Sequence, residues 1–415
     1  MAATYDGVVI GAGVMGASSA LQLACGGMKR VLVVEKGLGA GSGSTGRSTA
    51  VVRQTYSNRE VSLMAKEALG LFQNWRDFVE LPEPRANFIG CGVLFLFGEG
   101  EPSVAHIVKL HEELGIHSSV MSAEEKRRAF PDLDFTAAPP ETVGTADERP
   151  HEAVALLEHE GGFADPVGTA EDMLEAAVAQ GAEVRFRTRV LDIRQAGGRV
   201  LGVTLERDGQ REEVDCPVVI NCAGPWGPAL NEAAGVPLAH DLVPTRIQAV
   251  TKGFREQPKG PLPVICDLVT GFYGRLEAGG GSLILGSLRE EDEMETVADP
   301  DHYNEVADAP FREKTMSLLQ HRVPTFATRG QVGSYAGLYT VNRTDSHPII
   351  DAAPLEGFFY CNGWSGHGFK LSPVAGMLVA RQVLGSSGRS DTQVPTDFFR
   401  QDRKPLTTNW GGVIA

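Results

Sequence analysis

Gly7-Val8-Val9-Ile10-Gly11-Ala12-Gly13-Val14-Met15-Gly16 decides the fold. A short β-branched run enters a glycine turn, the turn opens into residues 17–25 of helical composition, and residues 30–34 are again apolar and β-branched, so the segment reads as a βαβ unit. Gly11 allows the tight turn, Gly13 lets the backbone approach a pyrophosphate, and Gly16 permits close helix packing. The helix start, with Ala12, Val14 and Met15, presents unpaired N–H groups and a partial positive charge to phosphates. Glu35 closes the second strand, 19 residues past Gly16, where a carboxylate can accept hydrogen bonds from both ribose hydroxyls and repels a 2′-phosphate. NADP is disfavoured, while FAD and NAD, which share an AMP half, both fit.

Outward from this unit, residues 39–50 are too rich in glycine and small hydroxyl residues for an ordinary link. Ser44, Thr45, Gly46, Arg47, Ser48 and Thr49 supply backbone and side-chain donors near the phosphate end. A compact apolar segment carrying Arg53 follows at once. Residues 82–149 change character, becoming proline-containing and charged, with an alternating stretch at 92–97 and a helical one at 104–114. Helix and strand texture returns with a helix at 168–179, a strand at 183–191 and a buried strand at 218–221 ending in Ala223-Gly224. The aromatic, glycine-rich segment 271–286 reads as a hairpin. These alternations predict an α/β chain in which a Rossmann-like dinucleotide-binding domain (1–84, 151–238 and 335–390) interleaves with a smaller substrate domain on a mainly antiparallel sheet (85–150 and 239–334), followed by a tail at 391–415.

Composition narrows the function classes. A chain of 415 residues with 42% apolar content is long enough for two cores. Its 38 basic and 53 acidic residues give a net charge of -15, which disfavours nucleic acid and anionic lipid as partners. Six cysteines, at 25, 91, 216, 222, 266 and 361, form no CxxC pair or metal cluster and read as reduced and mostly buried, so no metal is expected. The N-terminus lacks the pattern of a signal peptide and no apolar run approaches a membrane span, which makes the cytoplasm the expected location.

The glycine fingerprint with Glu35, the STGRS segment at 44–48, the NCAGPWGP run at 221–228, and the C-terminal block from Tyr339 through His347-Pro348-Ile349-Ile350-Asp351 to residues 362–372 together cover most of the chain. They resemble the FAD-dependent amine and amino-acid oxidoreductases, the family of D-amino-acid oxidase and glycine oxidase, and within it the branch of sarcosine oxidase and of the sarcosine and dimethylglycine dehydrogenases. The resemblance implies FAD as cofactor and adds Lys36, Val190, Ala223, Gly224 and Trp226 to its contacts. It places the turn Gly366-His367-Gly368-Phe369 at the pyrimidine end of the flavin. Negative charge that develops there on reduction would be stabilised by backbone N–H groups, the helix dipole and Lys370. The same resemblance implies a substrate cage in which Arg53 is a cation close to the flavin, Lys370 helps hold a carboxylate, and Tyr273 and Tyr339 form an apolar wall with hydroxyl tips; the planar fork of Arg53 also suits the carboxylate. His367 reads as packing beside the flavin without acid–base work, and His347, Trp226 and Trp364 as structural.

The implied reaction is oxidation of a C–N bond in a small secondary or tertiary amine, or an N-methyl amino acid, by hydride transfer to flavin N5, giving an imine that hydrolyses. Two departures bear on it. Where single-chain sarcosine oxidases attach FAD to a cysteine, this chain has Gly337, so non-covalent FAD is expected. Where they carry a lysine that promotes reaction with oxygen, it has Ile284. Oxygen and an electron-transfer protein or quinone therefore both stand as acceptors. Proline or a 2-hydroxy acid is an alternative substrate, and a flavoprotein subunit or assembly factor of an electron-transfer complex is an alternative of another class.

Overall fold

The computed structural model describes residues 3–98, 102–137, 152–253, 262–277, 279–325 and 330–406. Its cofactor-domain centre is a six-stranded sheet in the order Glu183–Arg185, Val31–Val34, Gly7–Ile10, Val219–Asn221, Phe358–Asn362, Ile349–Ala352. All pairs are parallel except the last, which is antiparallel. Period-two alternation sorts the side chains. Val9, Val31 and Val33 face the helices Val14–Cys25, Pro166–Ala179 and Gly368–Leu384, while Val8, Ile10, Leu32 and Val34 pack against Val203, Leu205 and Val214 of an antiparallel meander on the other face. Both faces are covered, which is why these strands read as uninterrupted apolar runs.

The second domain is an eight-stranded sheet in the order Val332–Asn342, Leu242–Gly253, Ser282–Ser287, Phe272–Leu276, Val264–Asp267, Val93–Phe97, Val154–Glu158, Ser118–Met121. Only the pair between Val264–Asp267 and Val93–Phe97 is parallel. One face packs on the helix Ala309–Arg322 through Val250, Leu283, Leu285, Phe311 and Leu318. On the other face the register sets Phe95, Cys266, Tyr273, Gly286, Ala249 and Tyr335 abreast in one row across six strands. Phe95 and Cys266 of that row join Val51 and Phe163 in a shared core, so it faces the cofactor domain.

Sheet membership corrects three sequence expectations. Val154–Glu158 and residues 335–342, assigned to the cofactor domain, hydrogen-bond within the eight-stranded sheet. The strand expected over 183–191 is two strands: Glu183–Arg185 pairs with Val31–Val34, and after a left-handed residue at Arg187 the chain enters the meander as Thr188–Ala196. The stretch 92–97 does not alternate, because Val93–Phe97 is buried on both faces. The hairpin at 271–286 and the helices at 104–114 and 168–179 form as expected. Residues 138–151 of the first excursion and 407–415 of the tail lie outside the described residues. The described part of the tail docks Val394 and Phe399 into the cofactor-domain core, and Arg403 pairs with Asp345 at 2.9 Å.

Candidate active site

The residues expected to hold the nucleotide are built around the glycine turn. Gly11 has φ +105°, and a Cβ there would lie 2.5 Å from the Cys222 carbonyl oxygen. A Cβ on Gly16 would run into the Gly11 carbonyl, so the helix Val14–Cys25 can start at this depth only without that side chain. Gly13, at the N-cap, has no side chain to cap the helix, and Thr45 Oγ1 instead accepts from Val14 N at 3.1 Å, which ties the turn to the STGRS segment. Glu35 accepts from Ala12 N at 2.9 Å and Gly37 N at 2.6 Å, one bond per carboxylate oxygen, leaving acceptor capacity on both. Lys36 is directed elsewhere: its ammonium pairs with Asp301 and lies 3.6 Å from the Trp226 ring centroid, while Trp226 Nε1 donates to the same Asp301 at 3.1 Å. Val190 stands on the meander strand Thr188–Ala196, and Ala223 and Gly224 follow the central strand Val219–Asn221.

The residues expected at the flavin and substrate ends line one cavity bounded by both domains. Arg53, Tyr273, Tyr339 and Lys370 all line it, together with Ser48, Thr49 and the turn from Gly366 to Phe369. Lys370 stands in the first turn of the helix Gly368–Leu384 and is 7% exposed. Its ammonium donates one long bond, 3.5 Å to the Gly366 carbonyl. Burial, and secondarily the positive charge of Arg53, push its pKa well below the usual lysine range. Arg53, 4% exposed, lies 4.3 Å from the Tyr56 ring centroid and donates to the Thr55 carbonyl. Burial raises the pKa of both Tyr273 and Tyr339, so they remain phenols. Two missing side chains make room for their rings: a Cβ on Gly286 would strike Tyr273, and one on Gly366 would come 2.5 Å from the Tyr339 ring. His367 packs edge-on to Tyr56, with centroids 5.3 Å apart.

A second, smaller cavity adjoins through Thr49, Tyr273 and Tyr339, and includes Ser44, Arg47, Tyr335 and Gly337. Ser44 Oγ is buried there with no hydrogen-bond partner among the described residues. A Cβ on Gly337 would sit 2.7 Å from Arg47 Cβ, so the arginine stem occupies the place a larger residue would need. Ile284 is buried in the strand Ser282–Ser287 beside its cross-strand neighbour Arg275, which donates to the Thr49 and Leu276 carbonyls and stacks on Phe163.

Three residues of this region carry no sequence signal of their own. Glu158, fully buried, accepts from Gln54 N at 2.8 Å, Thr55 N at 2.7 Å and Thr55 Oγ1 at 2.6 Å, and its charge acts on the segment that presents Arg53. Arg275 reads as an ordinary strand residue. Glu293, the last residue of the turn Glu290–Glu293, lines the main cavity although its acidic run looks like a solvated face. Burial, then the charges of Asp292 and Glu290, push the Glu293 carboxyl up to about 7.

A doubly covered, mainly parallel sheet with a glycine turn, joined to a mainly antiparallel sheet over a cavity lined by Lys370, Arg53 and Glu293, defines a dinucleotide-dependent enzyme of two interleaved domains. The chain belongs to the FAD dependent oxidoreductase family, whose sequence model matches residues 6–382. It is 29% identical over 424 residues to FAD-dependent oxidoreductase domain-containing protein 1 of Bos taurus, covering 95% of this chain and 84% of the relative. It is 24% identical over 385 residues to the sarcosine oxidase subunit beta of Rhodobacter capsulatus, covering 91% and 84%. In fold it matches the crystal structure of L-proline dehydrogenase from P. horikoshii with a TM-score of 0.79 at 21% identity, over 97% of this chain and 98% of that one. It is therefore an FAD-dependent oxidoreductase. The residues present suit that cofactor: the turn at 11–16 and the open helix start suit a pyrophosphate, Glu35 a ribose, and the buried, unpartnered Ser44 hydroxyl a further polar group.

Proposed function

We propose that the chain oxidises a C–N bond of a small amine bearing a carboxylate, a secondary or tertiary amine or N-methyl amino acid of the sarcosine kind. The observation that carries this is Lys370, a buried ammonium with one 3.5 Å bond, set beside Arg53 at a cavity walled by two phenols. An isolated buried cation is unfavourable, and a substrate carboxylate gives it the partner that the protein withholds. Arg53, oriented by the Tyr56 ring and the Thr55 carbonyl, adds a planar fork to the same anion. Tyr273 and Tyr339 close the sides and exclude water, so that positioning supplies much of the rate.

FAD, when bound, supplies the hydride acceptor. The turn from Gly11 to Gly16, Glu35 and residues 44–49 would hold its nucleotide half; the amides of Gly366 to Phe369 and the helix start at Gly368 would stabilise negative charge at the other end. Attachment is non-covalent in this reading, since Gly337 offers no nucleophile and Arg47 fills the space beside it. We read the chain as a dehydrogenase whose electrons go to a protein or quinone: Ile284 provides no cation for developing superoxide, and neighbouring Arg275 is engaged by two carbonyls.

The test is anaerobic mixing of the yellow protein with sarcosine, dimethylglycine, other N-methyl amino acids, proline and 2-hydroxy acids, followed by admission of air. Loss of visible flavin absorption with an N-methyl amino acid and slow return in air are expected. Bleaching by 2-hydroxy acids alone would refute the amine assignment, and rapid return in air would refute the dehydrogenase assignment.

A further inference from the structure

The main cavity carries a negative group as well as positive ones. Glu293 lines it with no hydrogen bond or ion pair to any described residue. The cation nearest in sequence is already engaged: Arg289 pairs with Asp292 at 2.6 Å and with Glu291 at 3.7 Å. Among the described residues, the other titratable groups with which its charge interacts are Asp292 and Glu290 on its own turn and the phenols of Tyr273 and Tyr339, which line the same cavity. Lys370, by contrast, feels Arg53, Cys266 and Glu158. Glu293 and the cations Lys370 and Arg53 thus line one cavity without forming an ion pair with each other.

We infer that Glu293 binds the nitrogen end of the substrate, so that the cavity selects a zwitterion whose carboxylate meets Lys370 and Arg53 and whose ammonium meets Glu293. The inference rests on the carboxylate-binding reading above and deepens it to a substrate class: amino acids in preference to 2-hydroxy acids of the same shape. A hydroxyl in place of the ammonium would leave the carboxylate uncompensated, and a half-buried carboxylate then favours its protonated form. The same pairing offers a proton path. An N–H bond of the ammonium breaks, an O–H bond forms on Glu293, and the electron pair stays on nitrogen, leaving the neutral amine that hydride loss requires. The Glu293 carboxyl, with its pKa near 7, is matched to accept a proton at neutral pH.

The test uses two ligands that lack an α-hydrogen and cannot be oxidised there, 2-aminoisobutyrate and 2-hydroxyisobutyrate, titrated calorimetrically into the FAD-loaded protein. At about pH 8 the amino acid is expected to bind about tenfold more tightly, the worth of one charge-assisted hydrogen bond. That preference should shrink as the pH falls through 7 and Glu293 takes up a proton. Lys370 and Arg53 act on the carboxylate common to both ligands and cancel in the ratio; Tyr273 and Tyr339 stay protonated throughout. Glu293→Gln should abolish the preference and its pH dependence while leaving 2-hydroxyisobutyrate bound. Equal affinities in the wild type, or a preference that survives in Glu293→Gln, would overturn the role of Glu293 and leave the carboxylate site standing. Binding of neither ligand would overturn that site and the inference with it. The wild-type pH series decides the matter even if the variant does not fold.

Discussion

Replacing Lys370 by Met removes the ammonium while keeping a flexible apolar chain of similar length. In the ligand-free protein the group makes one bond of 3.5 Å, so its loss strands only the Gly366 carbonyl. A bound carboxylate, by contrast, loses a charge-assisted hydrogen bond worth about 1.5–3 kcal/mol, which is about 10- to 150-fold in affinity with Arg53 still in place. Calorimetric titration with 2-hydroxyisobutyrate reads this directly. Stability should move the opposite way. The folded-state pKa of Lys370 lies below its unfolded value, so the unfolded chain binds the extra proton between the two. The burden of burying the charge is then fully present below the folded pKa and is relieved as pH rises through it, so wild-type stability should climb over that range. Lys370→Met should melt at a higher temperature near neutral pH and lose that climb, with its flavin content unchanged. A variant that binds the carboxylate as tightly as the wild type, or melts lower with the climb intact, would refute the view of Lys370 as a buried cation held in wait for an anion.

Glu35→Ala should weaken FAD retention about tenfold or more, from the loss of hydrogen bonds worth about 0.5–1.5 kcal/mol each; a variant that stays fully yellow through extended dialysis would contradict the ribose assignment. Gly337→Cys must displace the Arg47 stem that lies 2.7 Å from the new Cβ, so a loss of about 1–3 kcal/mol in chemical denaturation is expected. In the wild type, acid precipitation should release all of the flavin into the supernatant, and yellow colour remaining in the pellet would contradict non-covalent attachment.

How far the sequence revealed these features depended on how local their causes were. The βαβ unit was legible because one glycine turn and two apolar runs suffice to define it, and every requirement on Gly11 and Gly16 arises within their own neighbourhood or from Cys222, just past the strand Val219–Asn221. The domain boundaries were less legible, since Val154–Glu158 has the composition of a buried strand whichever sheet it joins and nothing in five residues names Val93–Phe97 as the partner. The same limit governs the site. Tyr273 and Tyr339 were reached through resemblance, but the row that seats Tyr273 runs through Phe95, Cys266, Gly286, Ala249 and Tyr335 and exists only once six strands are in register. Glu158 and Glu293 show the limit most sharply. Glu158 ends an apolar strand and Glu293 an acidic run, yet the first is stripped of water and held by three donors at the base of the Arg53 segment, while the second is left in the cavity without a described partner. A carboxylate's chemistry follows from what the rest of the fold withholds from it. Glu293, the negative group of this cavity, was therefore beyond the reach of pattern reading, and it is the residue on which the choice between an amino acid and a hydroxy acid turns.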